Sequence, residues 1–166
     1  MPATTDTDSR LATIRALLAK AEATPFPAEA EAFTAKAAEL MGRYAVDEAL
    51  VWAHEPAGAT TPTEVFLTIH RPFTGQKAVL VATVAAAYGC HALRLGRIDE
   101  QGTERMAVVG FESDVTLVET LVTSLFLQVT TAMTAPGAAP RGTANQVASW
   151  RRSFIAGFTA TIGQRL

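Results

Sequence analysis

The fold of the N-terminal region is decided by residues 11–44, LATIRALLAKAEATPFPAEAEAFTAKAAELMGRY. Apolar residues recur on one face at helical spacing on both sides of the segment TPFP, which predicts two amphipathic helices. The prolines of that segment end the first helix, and Pro27 suits the first turn of the second. Ser9 or Asp8 can cap the first helix, so we expect residues 1–8 to lie outside it as a loose tail.

A third, short helix is expected over residues 48–54. Gly42 weakens the end of the second helix, and the capping residue Asp47 follows an apolar residue. A second apolar residue stands four places after this cap, which is the hydrophobic-staple arrangement. Short connections between three helices predict an antiparallel module.

The segment EPAGATTPT, residues 55–63, marks a domain boundary because it is rich in Pro, Gly and Thr and nearly uncharged. We therefore expect an acidic helical module over residues 9–55 and a second domain over residues 63–166. Alternating apolar residues, glycines, prolines and helical stripes predict the elements of the second domain. In chain order they are a strand at Glu64–Arg71, a helix at Lys77–Tyr88, hairpin strands at His91–Arg97 and Glu104–Phe111, a helix from Glu112 to about Met133, and a helix at about Val147–Leu166.

The predicted fold class is α+β. It combines the N-terminal antiparallel helical module with a β-α-β-β-α-α domain that contains a small, mainly antiparallel sheet. The helix that begins at Glu112 is apolar over more than half of its circumference, so it is expected to be the central buried helix.

The N-terminal stretch resembles a known family in three short motifs: IRALLAKAEAT at 14–24, PFPAEAEA at 25–32 and AKAAELM at 35–41. They look like the family called domain of unknown function 2786, over roughly residues 10–50. The remainder, with GFESD at 110–114 and WRRSF at 150–154, is similar to the uncharacterised domain that often follows it. No activity is attached to either name, so the resemblance carries over no catalytic residues.

Composition indicates a globular cytoplasmic protein, with 49% apolar and 18% charged residues. The single cysteine excludes an internal disulfide and any multi-cysteine metal site, and it fits a reducing cytosol. The first ten residues, MPATTDTDSR, lack the apolar core of a signal peptide. The apolar run over 115–133 carries several polar residues, so we expect it to be too polar and too short to span a bilayer, and no membrane partner is expected.

Cys90 and His91 are the obvious candidates for catalysis, but neighbouring residues of a strand point to opposite faces of a sheet. We therefore expect a buried structural cysteine. A pair formed by Cys90 with the distant His54 or His70 would need the fold to bring them together. An enzyme with a dispersed site between the two domains, using Cys90, His70 or His91, is kept as an alternative to a non-enzymatic protein.

No cofactor or metal is expected. The three histidines show no metal-ligand spacing, and neither a GxGxxG nor a GxxxxGK[ST] motif occurs. The nearest approach to an anion-binding helix start is the segment over 75–77, GQK, where Thr74 is the expected N-cap.

Two acidic pairs are explained by local structure. Asp99 and Glu100 fall in the predicted hairpin loop, where acidic residues serve turns. Glu112 and Asp114 fall in the first turn of the longest helix, where the helix dipole favours negative charge.

Charge is distributed unevenly along the chain. Residues 1–55 hold five basic and nine acidic residues, which makes a DNA-groove role for the helical module unfavourable. Residues 135–166 contain no acidic residue but four arginines, the predicted partner-binding residues: Arg141, Arg151, Arg152 and Arg165. They could meet an acidic protein, a phosphate backbone, or the acidic module of the same or a neighbouring chain.

The last predicted helix carries Trp150, Phe154, Phe158 and Ile162 at intervals of four, as a core stripe or as a dimer seam. The leading hypothesis is a non-enzymatic interaction module that self-associates, with contact surfaces on the N-terminal helices and the last helix. Nucleic-acid association through the four arginines is the second hypothesis, and the dispersed enzyme site is the third.

Overall fold

The described residues form five helices and three strands, in the α+β arrangement that the sequence predicts. The computed structural model describes the backbone of residues 3–54 and 62–166, and the side chains of residues 9–44 and 62–166. The elements are α1 (Ala3–Ala23), α2 (Pro27–His54), β1 (Thr63–Ile69), α3 (Thr74–Ala87), β2 (His91–Arg97), β3 (Glu104–Gly110), α4 (Glu112–Thr134) and α5 (Ala144–Arg165). The chain divides into two units, Met1–Ala59 and Thr60–Leu166, and each is described by itself.

The first unit is an antiparallel pair of helices, α1 and α2. The buried apolar side chains on their facing sides are Ile14, Leu18, Ala21, Ala37 and Met41. Two cation–π contacts join the helices: Arg10 Cζ lies 5.0 Å from the ring centroid of Tyr44, and Lys20 Nζ lies 5.9 Å from that of Phe33. An early residue of α1 meets a late residue of α2 in the first contact, which is the antiparallel geometry.

The turn between α1 and α2 is held by Thr24. Its hydroxyl donates to Glu29 Oε2 at 2.7 Å and accepts from the backbone N–H of Phe26 at 3.3 Å. The threonine therefore ties the end of the first helix to the first turn of the second, where Glu29 also complements the helix dipole.

Two expectations for this unit are wrong. Residues 3–8 are not a tail outside the helix, because α1 begins at Ala3, and residues 1 and 2 lie outside the described residues. There is no separate third helix over residues 48–54 either, because α2 continues without a break to His54. A single glycine costs a helix only about 1 kcal/mol, so Gly42 does not end α2, and the next proline after Pro27 is Pro56.

The second unit contains a three-stranded antiparallel sheet in the order β1-β3-β2. Central strand β3 pairs with both neighbours along its length, and β2 carries a bulge at Leu95 between Arg94 and Gly96. The β-α-β-β-α-α order and the hairpin are as predicted.

One face of the sheet, the inner face, packs against α3 and α4. Its buried apolar residues are Leu67, Ile69, Met106 and Val108. Helix α4, the longest helix of this unit, contributes the most buried apolar side chains, as predicted for the central helix: Val115, Leu117, Val118, Leu121, Val122, Leu125, Val129 and Met133.

Helix α5 packs on α3 and α4 with a stripe that coincides only in part with the predicted one, since Ile162 belongs to both. Its buried residues are Ile155, Thr159 and Ile162, whereas Phe154 and Phe158 are only half-buried beside the cluster of Val129, Met133 and Ile155. A β-carbon on Gly163 would lie 2.9 Å from Thr83 Cγ2 of α3. The glycine therefore permits the close approach of the two helices, and Ile155 rather than Trp150 is fully buried in the core.

Among the described helices, α4 is long and apolar enough to cross a membrane. The expectation that this run is too polar and too short to span a bilayer was wrong on both counts, since α4 runs for 23 residues and is apolar enough. Its buried residues face the sheet and the neighbouring helices, as in the core helix of a soluble domain.

Candidate functional site

The feature of the second unit that stands out is the face of the sheet opposite α3 and α4, here called the outer face. It is formed by alternate residues of the strands: Glu64, Phe66 and Thr68 of β1, Arg105, Ala107 and Val109 of β3, and His91, Leu93 and Gly96 of β2. The strand register aligns Phe66, Ala107 and Leu93 in one row across all three strands. An apolar row thus crosses the middle of the face.

This row is exposed at its two ends. Phe66 is 51% and Leu93 is 55% exposed, while Ala107 between them is only 2% exposed because its larger neighbours cover it. At the margin of the face, Leu95 of the bulge is 54% exposed. In a strand with one buried face, the side chains on the other face are normally polar. Three large, exposed apolar side chains close together on that face therefore indicate a contact surface.

One charged side chain already covers part of the row. Arg105 Cζ lies 5.6 Å from the ring centroid of Phe66, so the guanidinium stacks over the aromatic face. The outer face carries one carboxylate, Glu64, and one guanidinium, Arg105, so its fixed charges are balanced.

On the inner face, Glu104 joins three elements. It accepts hydrogen bonds from Arg94 Nη2 at 2.8 Å and Thr74 Oγ1 at 2.7 Å, and Arg94 Nε donates to its other oxygen. The hydrogen bonds from Arg94 and then Thr74 lower the pKa of Glu104 to about 2, and the same contact raises the pKa of Arg94. Both carboxylate oxygens of Glu104 are engaged in these hydrogen bonds, so the cluster joins β2, β3 and α3.

Thr74 is not the N-cap of α3 as expected, because its hydroxyl is engaged by Glu104. The N-cap is Phe73, which has a left-handed backbone and offers no side-chain cap. Lys77 in the next turn donates to the carbonyl of His70 at 2.8 Å, and burial lowers its pKa. The Lys77 ammonium therefore holds the loop before α3 through this hydrogen bond.

The two acidic pairs occupy the predicted local positions. Asp99 Oδ1 accepts from the backbone N–H of Thr103 at 2.7 Å within the hairpin turn, and the hydrogen bonds with Thr103 lower the pKa of Asp99. Glu112 and Asp114 lie in the first turn of α4. Turn geometry and the helix dipole account for these carboxylates.

Cys90 is buried and His91 is exposed, as the strand geometry predicts. Burial, helped by the negative charge of Asp114, raises the pKa of the Cys90 thiol to about 11. A nucleophilic cysteine needs a lowered pKa, so this environment is the opposite of an activating one. His70, which is exposed, follows the last residue of β1, whereas Cys90 and His91 lie level with the first residues of that strand. The side chain of His54 lies outside the described residues.

Within the side chains that the structure describes, no group of three His, Cys, Asp or Glu residues could hold a metal ion. The outer face, where exposed apolar side chains of two strands lie in one row, is the candidate contact surface of the second unit.

The helix pair α1–α2 carries the motifs IRALLAKAEAT and AKAAELM on its facing sides, with buried Leu18 and Met41 in the core. Residues 10–48 match the family described as Protein of unknown function (DUF2786). No curated protein and no solved structure matches the chain. The predicted resemblance of the N-terminal region is thereby confirmed, whereas the domain that follows it is not characterised by these comparisons.

The DUF2786 region ends before β1, so the outer face and the four predicted arginines lie beyond it. Arg141 lies before α5, and Arg151, Arg152 and Arg165 lie along α5. Helical geometry puts Arg152 and Arg165 roughly 140° apart around the axis and about 20 Å apart along it. The Nε of Arg151 is enclosed without a hydrogen-bond partner in the described residues. Arg152 and Arg165 therefore do not lie on one face of α5, and partner binding through the four arginines stays a prediction.

Sequence reasoning missed the outer face. The alternation of β1 assigns Glu64, Thr68 and His70 to the solvent side, and Phe66 stands between the first two. An aromatic residue on the polar side of a predicted strand is a signal that could have identified this surface.

Proposed function

We propose that this protein is a non-enzymatic interaction module that self-associates through the outer face of its sheet. The observation that carries the proposal is the exposure of Phe66 and Leu93, 51% and 55%, in one row of a sheet face that no helix of the second unit covers in the described residues. Covering such a row with a matching apolar surface removes it from water, which is the main driving force of association.

The size of the surface fits a second copy of the chain. About half of each of Phe66, Leu93 and Leu95 is open to water, on the order of 300 Å² of apolar surface per copy. Two copies would bury roughly 600 Å² of it, about half of the smallest stable interfaces of about 1,200 Å². Interfaces are roughly 56–65% apolar, so 600 Å² of apolar surface corresponds to a total of roughly 1,000 Å², which is the size range of weak, reversible complexes.

The charge of the face also favours a second copy. One carboxylate and one guanidinium flank the apolar row, so a strongly acidic or strongly basic partner would leave one of them opposed by a like charge. A partner that carries both signs in the same arrangement satisfies both, and the chain itself is such a partner. The surface is small, so we expect a reversible dimer with a dissociation constant on the order of micromolar.

Sedimentation equilibrium of the full chain, from about 1 to 100 µM around that expected constant, tests the proposal. The wild-type mass should rise from the 17.6 kDa of one chain toward twice that value. Leu93→Asp should remain at 17.6 kDa throughout, because a carboxylate would then be buried in the interface.

The matched control is Leu127→Asp, which makes the same exchange at a residue of α4 that is 53% exposed and lies away from the outer face. It should dimerise like the wild type. A wild-type protein that stays at the mass of one chain, or a control that dissociates as fully as Leu93→Asp, would refute self-association at this face. Far-ultraviolet circular dichroism checks that both variants are folded.

A further inference from the structure

The outer face is organised in three rows that run across the strands. Row one is Glu64, Val109 and His91; row two is Phe66, Ala107 and Leu93; row three is Thr68, Arg105 and Gly96. The Cα atoms of the acidic and the basic residue therefore lie on opposite sides of the apolar row, and the Arg105 guanidinium reaches from row three over the ring of Phe66. With about 3.4 Å per strand residue, rows one and three lie roughly 14 Å apart.

This polarity decides between the two simple ways of stacking the face on a copy of itself about a two-fold axis. If the axis runs along the strands, row three of one copy covers row three of the other, and Arg105 faces its own counterpart. If the axis runs across the strands, each row three covers the other copy's row one. Only the second arrangement moves the two Arg105 backbone positions apart and brings each Glu64 to the row that holds Arg105. The guanidinium would then turn from the ring of Phe66 toward that carboxylate.

We propose that two copies stack outer face to outer face about a two-fold axis that crosses the strands, with Glu64 of each chain paired with Arg105 of the other. The proposal rests on the self-association proposed above and adds its geometry. Stacked sheets lie about 10 Å apart, a gap that a glutamate and an arginine can bridge from opposite sides. Phe66, Ala107 and Leu93 then lie on the axis and cover the same residues of the second copy.

The paired charges lie at the rim of the apolar row, so they select the arrangement more than they add affinity. Reversing one of them makes both symmetry-related pairs repulsive. We expect Glu64→Arg or Arg105→Glu alone to weaken the dimer by about tenfold at low ionic strength, and by less at high salt because exposed charges are screened.

The decisive experiment uses charge exchange measured by sedimentation at low salt. The double variant Glu64→Arg/Arg105→Glu should recover the wild-type dimer, since both pairs are restored with reversed signs. An equimolar mixture of the two single variants should form a heterodimer, since one chain then presents two arginines and the other two glutamates. Glu119→Arg is the matched control, because it reverses an exposed charge of α4 on the other side of the sheet.

The outcomes separate this inference from the function it rests on. Weakened single variants that recover on exchange and on mixing support the axis across the strands. Single variants that dimerise like the wild type, while Leu93→Asp does not, overturn the stacking geometry but leave self-association at the face. A dimer formed by mixing wild type with Arg105→Glu more tightly than either alone would instead indicate the axis along the strands and overturn the proposal.

Discussion

Replacing Gly110 by alanine tests how closely β3 approaches the loop before β2. A β-carbon on Gly110 would lie 2.5 Å from Cys90 Sγ and 3.3 Å from Val115 Cγ2, and real β-carbons do not come within 3.0 Å. The backbone of Gly110 is not in the left-handed region, so the expected strain comes from this contact and not from the dihedral angles.

The magnitude follows from two opposing effects. Overpacking a buried site by one methyl group costs about 1–3 kcal/mol, while the lost freedom of the unfolded chain returns about 0.4–1 kcal/mol. We therefore expect Gly110→Ala to lower the free energy of unfolding by about 1–2 kcal/mol. In a Cys90→Ala background the obstructing sulfur is gone, so the same substitution should change the free energy of unfolding by less than about 0.5 kcal/mol.

Urea denaturation followed by the fluorescence of Trp150 measures these changes in the second unit, with Trp52→Phe in every variant so that one tryptophan reports. Gly157→Ala is the matched control, because a β-carbon there would meet nothing within 4 Å and alanine favours a helix by about 1 kcal/mol. If Gly110→Ala costs as much without the sulfur as with it, Cys90 is not the obstacle and the reasoning fails.

Three further predictions concern side chains with defined partners. Glu104→Gln should lower stability at neutral pH and approach the stability of the wild type as pH falls, which urea midpoints measured at several pH values would show. The pKa of Glu104 is lowered from 4.5 to about 2, so the carboxylate stabilises the fold above its unfolded-state pKa and loses that contribution as pH falls through its folded-state pKa. The Cys90 thiol, with a pKa of about 11, should react with a disulfide reagent at pH 8 far more slowly in native protein than in urea, and equal rates would contradict its burial. Thr143→Ala should cost about 1 kcal/mol of stability because its hydroxyl and Gln146 form a capping box, whereas Thr161→Ala, on the exposed side of α5 near its C-terminal end, should cost little.

The order of the elements was predictable because the signals are local. Gly89 marks the end of α3, and the acidic loop at 98–103 separates the two strands of the hairpin, both in the sequence and in the structure. The start of α5 was placed too late although its capping pattern, Thr143 followed by Gln146, is visible in the sequence. That pattern was hidden by a segment rich in prolines and glycines, which indicates a linker.

Other features depend on tertiary contacts and could not be predicted. The cluster of Glu104, Arg94 and Thr74 combines residues of three elements, and nothing in their spacing indicates that they meet. Helix α5 approaches α3 closely at Gly163. The stripe of aromatic residues in the sequence does not reveal this contact or which face of α5 is fully buried. The same limit applies to the outer face, because exposure is a property of the assembled sheet.

The central position of β3 also bears on the kinetics of folding. Pairing with β2 closes only the loop over residues 98–103, whereas pairing with β1 closes the roughly sixfold longer span over residues 70–103. Closure entropy grows with the logarithm of loop length, so the distant pairing costs about 1.5 kcal/mol more. The hairpin should therefore form before β1 joins it. Asp99→Ala in the hairpin turn should slow refolding, while Leu67→Ala in β1 should mainly speed unfolding, and the reverse result would show that β1 docks first.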